Sequence, residues 1–346
     1  TQTVGRILRM PEQKFYPKSV IDPLLTDFVA SNQKEVQVLL FIKEKNADDK
    51  TDYKSLYNQV KNGKMTMEDF LAKNSAPETS KAFYVKPGML DYELYQQVKN
   101  TPVNSYTSFI DKGNVVGFAK VVNTRPSLGY MIFGTLAIPK DDNYEATKSK
   151  IYKELESGKK FQAVVKDFGA SEEEKNSGGA VMGSPILPDE VYNALKGQTK
   201  DFYTKEPILF NDKYFIFNIY SIEPYTLTDA NRRFFQKELL ATSYGDEAAK
   251  RLVRWLKTQE KFVETADFAE IKKSYQSYLN VKNPKAVLFS YGANKVTYED
   301  LKKAIDSQYK NLEQIPTTQW SDLLNFQADQ YIIGVYAKNF QNLPDV

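Results

Sequence analysis

The sequence of 346 residues contains neither cysteine nor histidine. The absence of cysteine excludes disulfides, thiolate nucleophiles and thiolate metal sites. The absence of histidine excludes Ser-His-Asp and Cys-His nucleophilic sites, zinc sites that need imidazole, and imidazole acid–base catalysis. What remains is carboxylate or lysine chemistry, or binding without bond making. The sequence predicts no metal site and no cofactor.

Long apolar runs and a charge bias are missing too. No run approaches the roughly 20 apolar residues that a bilayer-spanning helix needs, and no signal peptide is visible at Thr1, so we expect a cytosolic or already processed chain. The 47 basic and 44 acidic residues are interspersed and give a net charge of +3, which disfavours nucleic-acid binding. No phosphate-binding or dinucleotide-binding glycine loop is present.

Aromatic residues are abundant, with 21 Phe and 23 Tyr. Most of them are expected to fill cores, and the alternative is an adhesive surface that binds polypeptide. The length predicts two to four domains, at about 100–200 residues per domain.

The stretch 177–224 combines a glycine corner, a short amphipathic helix and a closing strand. Gly178 and Gly179 can adopt positive φ values, so the chain can turn sharply there. The spacing of apolar residues over 189–195 predicts a helix with one apolar stripe. The aromatic and β-branched residues of 214–222 predict a strand that is largely covered on both faces.

Together with a strand over 131–138 and a helical segment over 152–168, this stretch resembles the parvulin family of peptidyl-prolyl isomerases. The glycine pair and the last strand match the family in order. The resemblance implies an α+β module in which helices flank a small antiparallel sheet.

Residues 36–126 repeat this unit at an offset of about 95–98 residues, a regularity that marks internal duplication. The segment 55–64 matches 150–159, 89–99 matches 186–196, and 115–126 matches 213–224. The sequence therefore predicts two copies of one α+β module, and chance similarity between helix–strand units is the alternative. The first copy has Ser80 to Phe83 in place of the glycine pair.

Active parvulins have two histidines on the central strands, an Asp or Cys nearby and an apolar proline pocket. By the resemblance, the histidine positions fall near Thr135 and Phe215, and the Asp/Cys position falls near Ser171, in an acidic loop. The first copy has Leu39 and Gly117 at the histidine positions. The candidate peptide-binding residues of the two copies are Val181, Met182, Leu187, Val191, Phe202, Leu90 and Leu94.

After residue 224 the pattern becomes mainly helical, with a strand and turn over 287–294. Thr297 and Asp300 form a predicted capping pair, and Trp320 stands in a polar run where exposure would be less surprising than in an apolar one. This part weakly resembles the chaperone domain of SurA-type and PpiD-type periplasmic folding factors, and a generic helical domain is the alternative. The predicted divisions are an N-terminal helical segment (1–34), two parvulin-like modules (35–127 and 128–224) and a mainly helical, chaperone-like domain (225–346) that is incomplete.

These observations predict a chaperone-like protein built on non-catalytic modules, which binds unfolded or extended polypeptide. By the resemblance, its clients are outer-membrane or secreted proteins in a bacterial periplasm. One alternative is an active prolyl isomerase that uses the second copy. Another is a dedicated subunit that docks onto an envelope or secretion complex.

Overall fold

The structure, a computed structural model, describes residues 15–183 and 185–340, so the first 14 residues of the predicted N-terminal segment lie outside it. In the first part of the chain, two long strands are flanked by helices. Its elements are α1 (Lys18–Ser31), β1 (Lys34–Glu44), α2 (Tyr53–Lys61), α3 (Met67–Asn74), β2 (Phe83–Val85), α4 (Tyr92–Asn100), β3 (Ile110–Asp111) and β4 (Val115–Pro126).

The first sheet is antiparallel, with the strand order β2-β1-β4-β3. Its centre is the β1–β4 pair, in which Val38 lies opposite Val121 after a bulge at Gln37. Successive side chains of a strand point to opposite faces. Accordingly, Leu39 and Phe41 pack with α2 and α3, whereas Val38 and Val121 pack with α1 and α4.

The second part of the chain forms another four-stranded antiparallel sheet, with the order β6-β5-β8-β7. Its strands and helix confirm those predicted over 131–138, 189–195 and 214–222. Its elements are β5 (Tyr130–Ile138), α5 (Tyr144–Glu156), α6 (Phe161–Phe168), α7 (Glu172–Ser177), β6 (Ala180–Gly183), α8 (Asp189–Leu195), β7 (Ile208–Phe210) and β8 (Lys213–Glu223).

The two sheets have equivalent hydrogen bonds as well as the same strand order. The Tyr57 hydroxyl donates to the Thr107 carbonyl at 2.8 Å, and the Tyr152 hydroxyl donates to the Thr204 carbonyl at 2.8 Å. Each threonine hydroxyl in turn accepts a backbone N–H from the last long strand, at 2.9 Å in the first sheet and 3.1 Å in the second. The same side-chain types thus fix the same loop in both sheets.

The shared bulge corrects one predicted equivalence. The first long strand shifts register just before Val38 in one sheet and just before Phe133 in the other. Counting from the bulges places Leu40, and not Leu39, at the position of Thr135. The predicted match was therefore wrong by one residue, because residue types alone did not fix the offset between β1 and β5.

The third part of the chain is mainly helical and also contains a three-stranded antiparallel sheet of order β11-β10-β9, whose middle strand lies in the strand and turn predicted over 287–294. Thr297 and Asp300 form the predicted capping box. The elements are α9 (Arg232–Leu240), α10 (Ser243–Gln259), β9 (Val263–Glu264), α11 (Ala266–Ile271), α12 (Tyr275–Leu279), β10 (Val287–Tyr291), β11 (Asn294–Thr297), α13 (Tyr298–Gln308) and α14 (Thr317–Ala337).

Trp320 of α14 is fully buried, although it stands in a polar run of the sequence. Its indole N–H donates to the Ile271 carbonyl at 2.9 Å, and its ring packs on Tyr275 and Tyr278. The polar neighbours of Trp320 in sequence lie on other sides of the helix, which the local composition could not indicate. Across the described ranges, no helix is both long enough and apolar enough to cross a membrane.

Helix α1 shares one core with the first sheet and with α9 and α10. Leu24, Leu94 and Leu252 belong to this core, and the Tyr244 hydroxyl donates to the Asp27 carboxylate at 2.7 Å. The division predicted at residue 34 therefore separates two segments that pack together.

A buried arginine joins the two four-stranded sheets. The Arg125 guanidinium lies between the rings of Tyr84 and Tyr192, with its central carbon 3.9 and 4.1 Å from the ring centroids. Its Nε donates to the Glu35 carboxylate at 2.5 Å, and both of these side chains are almost fully buried. Such a pair needs every donor satisfied, because an unpaired buried charge is costly.

The remaining donors of Arg125 are satisfied by the second sheet's helix α8 and the loop before it. Nη1 donates to Asp189 at 3.1 Å and Nη2 to the Leu187 carbonyl at 2.8 Å. The Tyr192 hydroxyl donates back to the Pro126 carbonyl at 2.6 Å. These bonds fix the position of α8 relative to the first sheet.

Lys86 adds a second buried cation beside this pair, with 8% of its surface exposed. The pKa of Lys86 is lowered from 10.5 to about 8, mainly by burial; Glu35 opposes this shift and Arg125 adds to it. Below pH 8 both the folded and the unfolded states carry the proton, so the folded state bears the full cost of the charge. Between pH 8 and 10.5 the folded state loses the proton first, and the cost is relieved.

We therefore expect Lys86→Met to raise the free energy of unfolding at pH 7 by roughly 1–3 kcal/mol, given about 1.4 kcal/mol per pKa unit. The difference from the parent should shrink towards zero by pH 10.5. Urea unfolding at both pH values measures this, with the exposed Lys81→Met as the control. A less stable variant at pH 7 would mean that charged Lys86 stabilises Glu35 by more than its burial costs.

Candidate functional site

The two faces of the second sheet are packed differently. Leu136 and Ile216 point towards α5 and α6, whereas Phe133, Phe217 and Ile219 point towards α8. The alternation of side chains along β5 and β8 produces this division. The residues predicted from the parvulin resemblance can thus be placed on one face or the other.

Thr135 and Phe215 both lie on the face towards α8, because Thr135 pairs with Phe217 and Phe215 pairs with Ala137. The Thr135 hydroxyl lies 3.5 Å from the Gly179 carbonyl, which also accepts the Thr135 backbone N–H at 3.0 Å. The two positions therefore share a face of the sheet. Neither side chain can transfer a proton as an imidazole does.

Phe215 belongs to an aromatic group and not to a polar one. Its ring centroid lies 6.4 Å from that of Phe210 and 6.3 Å from that of Phe217. These distances are typical of favourable aromatic pairs. The ring therefore packs against apolar neighbours where the resemblance places a histidine.

Ser171 acts as a helix cap. Its hydroxyl accepts the backbone N–H of Glu174 at 3.1 Å, and the Glu174 carboxylate accepts the N–H of Ala170 at 2.9 Å. The acidic residues that follow form α7, so the predicted acidic loop is a helix. Carboxylates in a first helical turn are favoured by the helix dipole, which gives this run a local structural role.

Five partly or largely exposed apolar side chains lie on the α8 side of the sheet, and we call this group the apolar face. It consists of Val181, Phe202, Ile208, Phe210 and Phe215, which surround the buried Phe133 and Phe217. Phe210 is 42% exposed. Two of the predicted peptide-binding residues, Val181 and Phe202, thus lie on a surface that a ligand can reach.

Other predicted contact residues are core residues. Val191, Leu90 and Leu94 are 1%, 8% and 3% exposed. Val191 holds α8 on the second sheet, and the two leucines pack against α1 and α10. The predicted groove over Leu187 and Val191 is therefore filled by the chain's own packing.

Leu187 is partly buried, and its carbonyl accepts the Arg125 bond, so it anchors the loop before α8. Met182 lies in β6 with its backbone opposite Ile132. The side chain of Met182 lies outside what the structure describes. The peptide-binding roles predicted for these two residues stay predictions.

The sequence interpretation missed Ile208 and Phe210. Both lie on the short edge strand β7, which a two-residue turn, Asn211-Asp212, connects to β8. The two turn residues have φ values of 48° and 62°, as a type I′ hairpin turn requires. An Asn-Asp pair between apolar runs is the signal that could have identified this hairpin.

The side chains that form the core under the apolar face are uncharged. On the opposite face, burial raises the pKa of Tyr220 to about 12, and its hydroxyl donates to the Gly178 carbonyl. Within residues 15–183 and 185–340, no three acidic side chains converge on a point that could hold a metal ion. The arrangement supports binding of apolar groups.

Comparison with known proteins gives a distant likeness. The chain is similar to PrsA structures. No protein-family model and no curated protein matches it. The similar structures include a PrsA peptidylprolyl isomerase from Bacillus cereus (17% identity, 37% of this chain and 51% of that chain, TM-score 0.24) and the foldase protein PrsA from Streptococcus pneumoniae (16%, 37%, 51%, 0.24).

A third similar structure is the PrsA peptidylprolyl isomerase from Bacillus anthracis, at 11% identity over 73% of this chain and 95% of that chain, with a TM-score of 0.26. The chain spans about half the length of the first two proteins. Identities and TM-scores this low leave the function to be argued from the chain's own residues.

The glycine corner beside Thr135 has a strict steric requirement. Gly179 has a φ of +66°, and a Cβ added there would lie 2.1 Å from the Thr135 carbonyl oxygen. Gly197 has a similar φ of +74°, but no atom lies within 4 Å of an added Cβ. An alanine at Gly197 would therefore bear only the cost of the left-handed backbone, whereas an alanine at Gly179 would also bear the cost of the clash.

We expect Gly197→Ala to cost about 1 kcal/mol, the price of a left-handed conformation, and Gly179→Ala to cost about 3 kcal/mol or more, because β6 must also move away from β5. Urea unfolding of the two variants measures the difference. Equal losses would contradict the steric role of Gly179.

Proposed function

We propose that this protein is a non-catalytic, parvulin-like folding factor that binds extended or unfolded polypeptide on the apolar face. The observation that carries the proposal is the cluster of accessible apolar side chains around Phe215. Removing apolar surface from water contributes about 25 cal/mol per Å² to binding, and this contribution does not depend on the orientation of the contacting groups. Such a surface can hold many sequences, as a folding factor requires.

The repeated geometry supports the view that residues 35–127 and 128–224 are two copies of one module. Both sheets have the same strand order, a bulge at the same point and the same tyrosine–threonine bonds. In the first copy the corresponding face is covered by α1 and α10, and Ala119, the counterpart of Phe217, is fully buried. We therefore assign polypeptide binding to the second copy.

Loss of catalysis follows from what the reaction needs. Rotation about an X-Pro bond crosses a barrier of about 18–20 kcal/mol, and an enzyme must stabilise the twisted amide more than the planar one. Preorganised polar groups usually supply that difference. Phe215 and Thr135 offer an apolar ring and a hydroxyl already close to the Gly179 carbonyl.

A bacterial envelope location and outer-membrane or secreted clients remain part of the proposal through the parvulin and SurA/PpiD resemblance alone. Unfolded clients from any compartment could bind to the apolar face. A dedicated subunit of one complex would differ from the proposed folding factor, because it would not bind generic extended peptides.

Polypeptide binding can be tested with two substitutions in one strand. Phe210 belongs to the apolar face, whereas Leu209, 46% exposed, pairs with Tyr214 and points to the opposite face. We expect Phe210→Glu to weaken binding of an uncharged, end-blocked peptide of alternating serine and phenylalanine by at least about fivefold, or about 1 kcal/mol. Fluorescence anisotropy with a neutral dye on the peptide measures this.

Leu209→Glu is the matched control, with the same charge change at similar exposure, and it should leave the affinity unchanged. Circular dichroism would confirm that both variants remain folded. Equal affinities for the parent and both variants would remove the apolar face as the binding site. No binding by the parent would favour the dedicated-subunit alternative.

Catalysis is tested directly. We expect the cis/trans exchange rates of Ala-Pro-Phe and Glu-Pro-Phe peptides at micromolar protein to equal those in buffer, because no group on the apolar face is directed at the amide. Exchange NMR measures the rates, and an active parvulin in the same buffer serves as the positive control. A many-fold acceleration would show that the second copy is an enzyme.

A further inference from the structure

A cleft of about 550 Å³ opens on the other side of the second sheet, at the turn between α5 and α6. Three aromatic side chains, Phe161, Tyr203 and Tyr220, line it, and the buried Asn218 lies among them. The Asn218 amide donates to the backbone carbonyls of Asp201 and Phe202, which fixes the loop at the cleft's edge. The cleft is thus a preformed, partly aromatic concavity away from the apolar face.

Lysines surround these rings. Lys159 is paired with Glu154, at 2.8 Å, and with Asp167. Lys160 and Lys200 also line the cleft, both are exposed, and neither forms an ion pair with another residue that the structure describes. The cleft therefore presents two cations that have no fixed carboxylate partner in that part of the chain.

The first sheet shows that these cations are not required by the fold. Gly63 and Gly158 have φ values of 76° and 90° at matching turns, which places Met65 at the position of Lys160. Asn104 and Asp201 likewise both have positive φ, at 66° and 72°. The residues before them, Val103 and Lys200, therefore correspond.

Apolar residues occupy the counterpart site in the first sheet. Met65 and Val122, the counterpart of Tyr220, pack against the core there. The second sheet has exchanged apolar packing for a cleft with lysines at its rim. The first sheet shows that the fold does not need lysines at these two positions, so their placement around a partly aromatic cleft favours a binding site.

We propose that this cleft binds an acidic peptide segment. A carboxylate lies between Lys160 and Lys200, and the aromatic or aliphatic side chain next to it lies against Tyr203 and Tyr220, the two partly exposed rings of the cleft. Charge complementarity selects the ligand, and the rings add apolar contact area. The site is separate from the apolar face, so it adds a second, sequence-selective contact to the proposed function.

The test uses the full chain and an end-blocked Asp-Glu-Phe-Glu-Asp peptide with a neutral dye, compared with Asn-Gln-Phe-Gln-Asn. We expect the acidic peptide to bind and the amide peptide to bind at least tenfold more weakly. Lys160→Gln/Lys200→Gln should weaken binding of the acidic peptide at least fivefold. Raising the salt concentration from 50 to 500 mM should weaken it as well, since salt screens exposed charges.

Lys140→Gln/Lys166→Gln is the matched control, because both lysines are exposed, lie in the same part of the chain and do not line the cleft. It should keep the parent affinity. Equal weakening by both double variants would mean that the loss of net positive charge causes the effect. No weakening by either variant would mean that the peptide binds outside the cleft. Both results overturn the proposal.

Phe210→Glu should leave binding of the acidic peptide within about twofold, which separates this site from the apolar face. If Phe210→Glu abolishes binding while the lysine variant does not, the peptide binds to the apolar face and the cleft proposal fails. Failure of the neutral peptide to bind to the apolar face leaves the outcome of the lysine experiment unaffected.

Discussion

The antiparallel pairing of β5 with β8 decides which side chain reaches which side of the second sheet. Side chains alternate with a period of two, so a slip of one residue would exchange the two faces. The bulge opposite Ile132 and Phe133 is therefore decisive, because it leaves Tyr220 of β8 without a partner on β5 and so sets the phase of β8 relative to β5. With this phase Phe215 and Phe217 point towards α8, and Tyr220 and Asn218 point towards the cleft.

A second constraint is the guanidinium of Arg125, which ties the two sheets together in a nearly dry environment. Buried ion pairs seldom add stability over apolar packing, since the desolvation of both charges offsets their attraction. Here the guanidinium satisfies Glu35, Asp189 and the Leu187 carbonyl at once, and its faces contact two rings. The geometry of that set is specific, so the bonds determine where α8 sits more than how stable the protein is.

Several elements could be predicted because their signals are local. The run 214–222, the helix over 189–195 and the Thr297–Asp300 cap each depend on neighbouring residues in the sequence. The fates of Leu90, Leu94 and Val191 could not be predicted in the same way. Spacing identifies the apolar side of a helix, but only the tertiary structure shows whether α1, α10 or solvent covers that side.

The strand registers show another limit. A bulge adds one residue to one strand, and nothing in the side chains of the extra residues, Val122 and Tyr220, distinguishes them from regular strand. Residue type also does not fix the offset between β1 and β5, so the sequence alignment placed Leu39 where the strand pairing places Leu40. Trp320 shows the same dependence, since a carbonyl 49 residues away in sequence accepts its N–H.

On the proposed function, the edge strand β7 connects the two sides of the sheet. An edge strand presents unpaired backbone groups to which an extended peptide can add. Alternate side chains of a peptide bound there would fall on the two sides of the sheet, and only one set would lie next to Phe210 and the apolar face. Backbone hydrogen bonds to the edge strand would then fix the register of the client, and the apolar face would contribute most of the affinity. Binding would therefore depend on the alternation of apolar residues in a client more than on their identity.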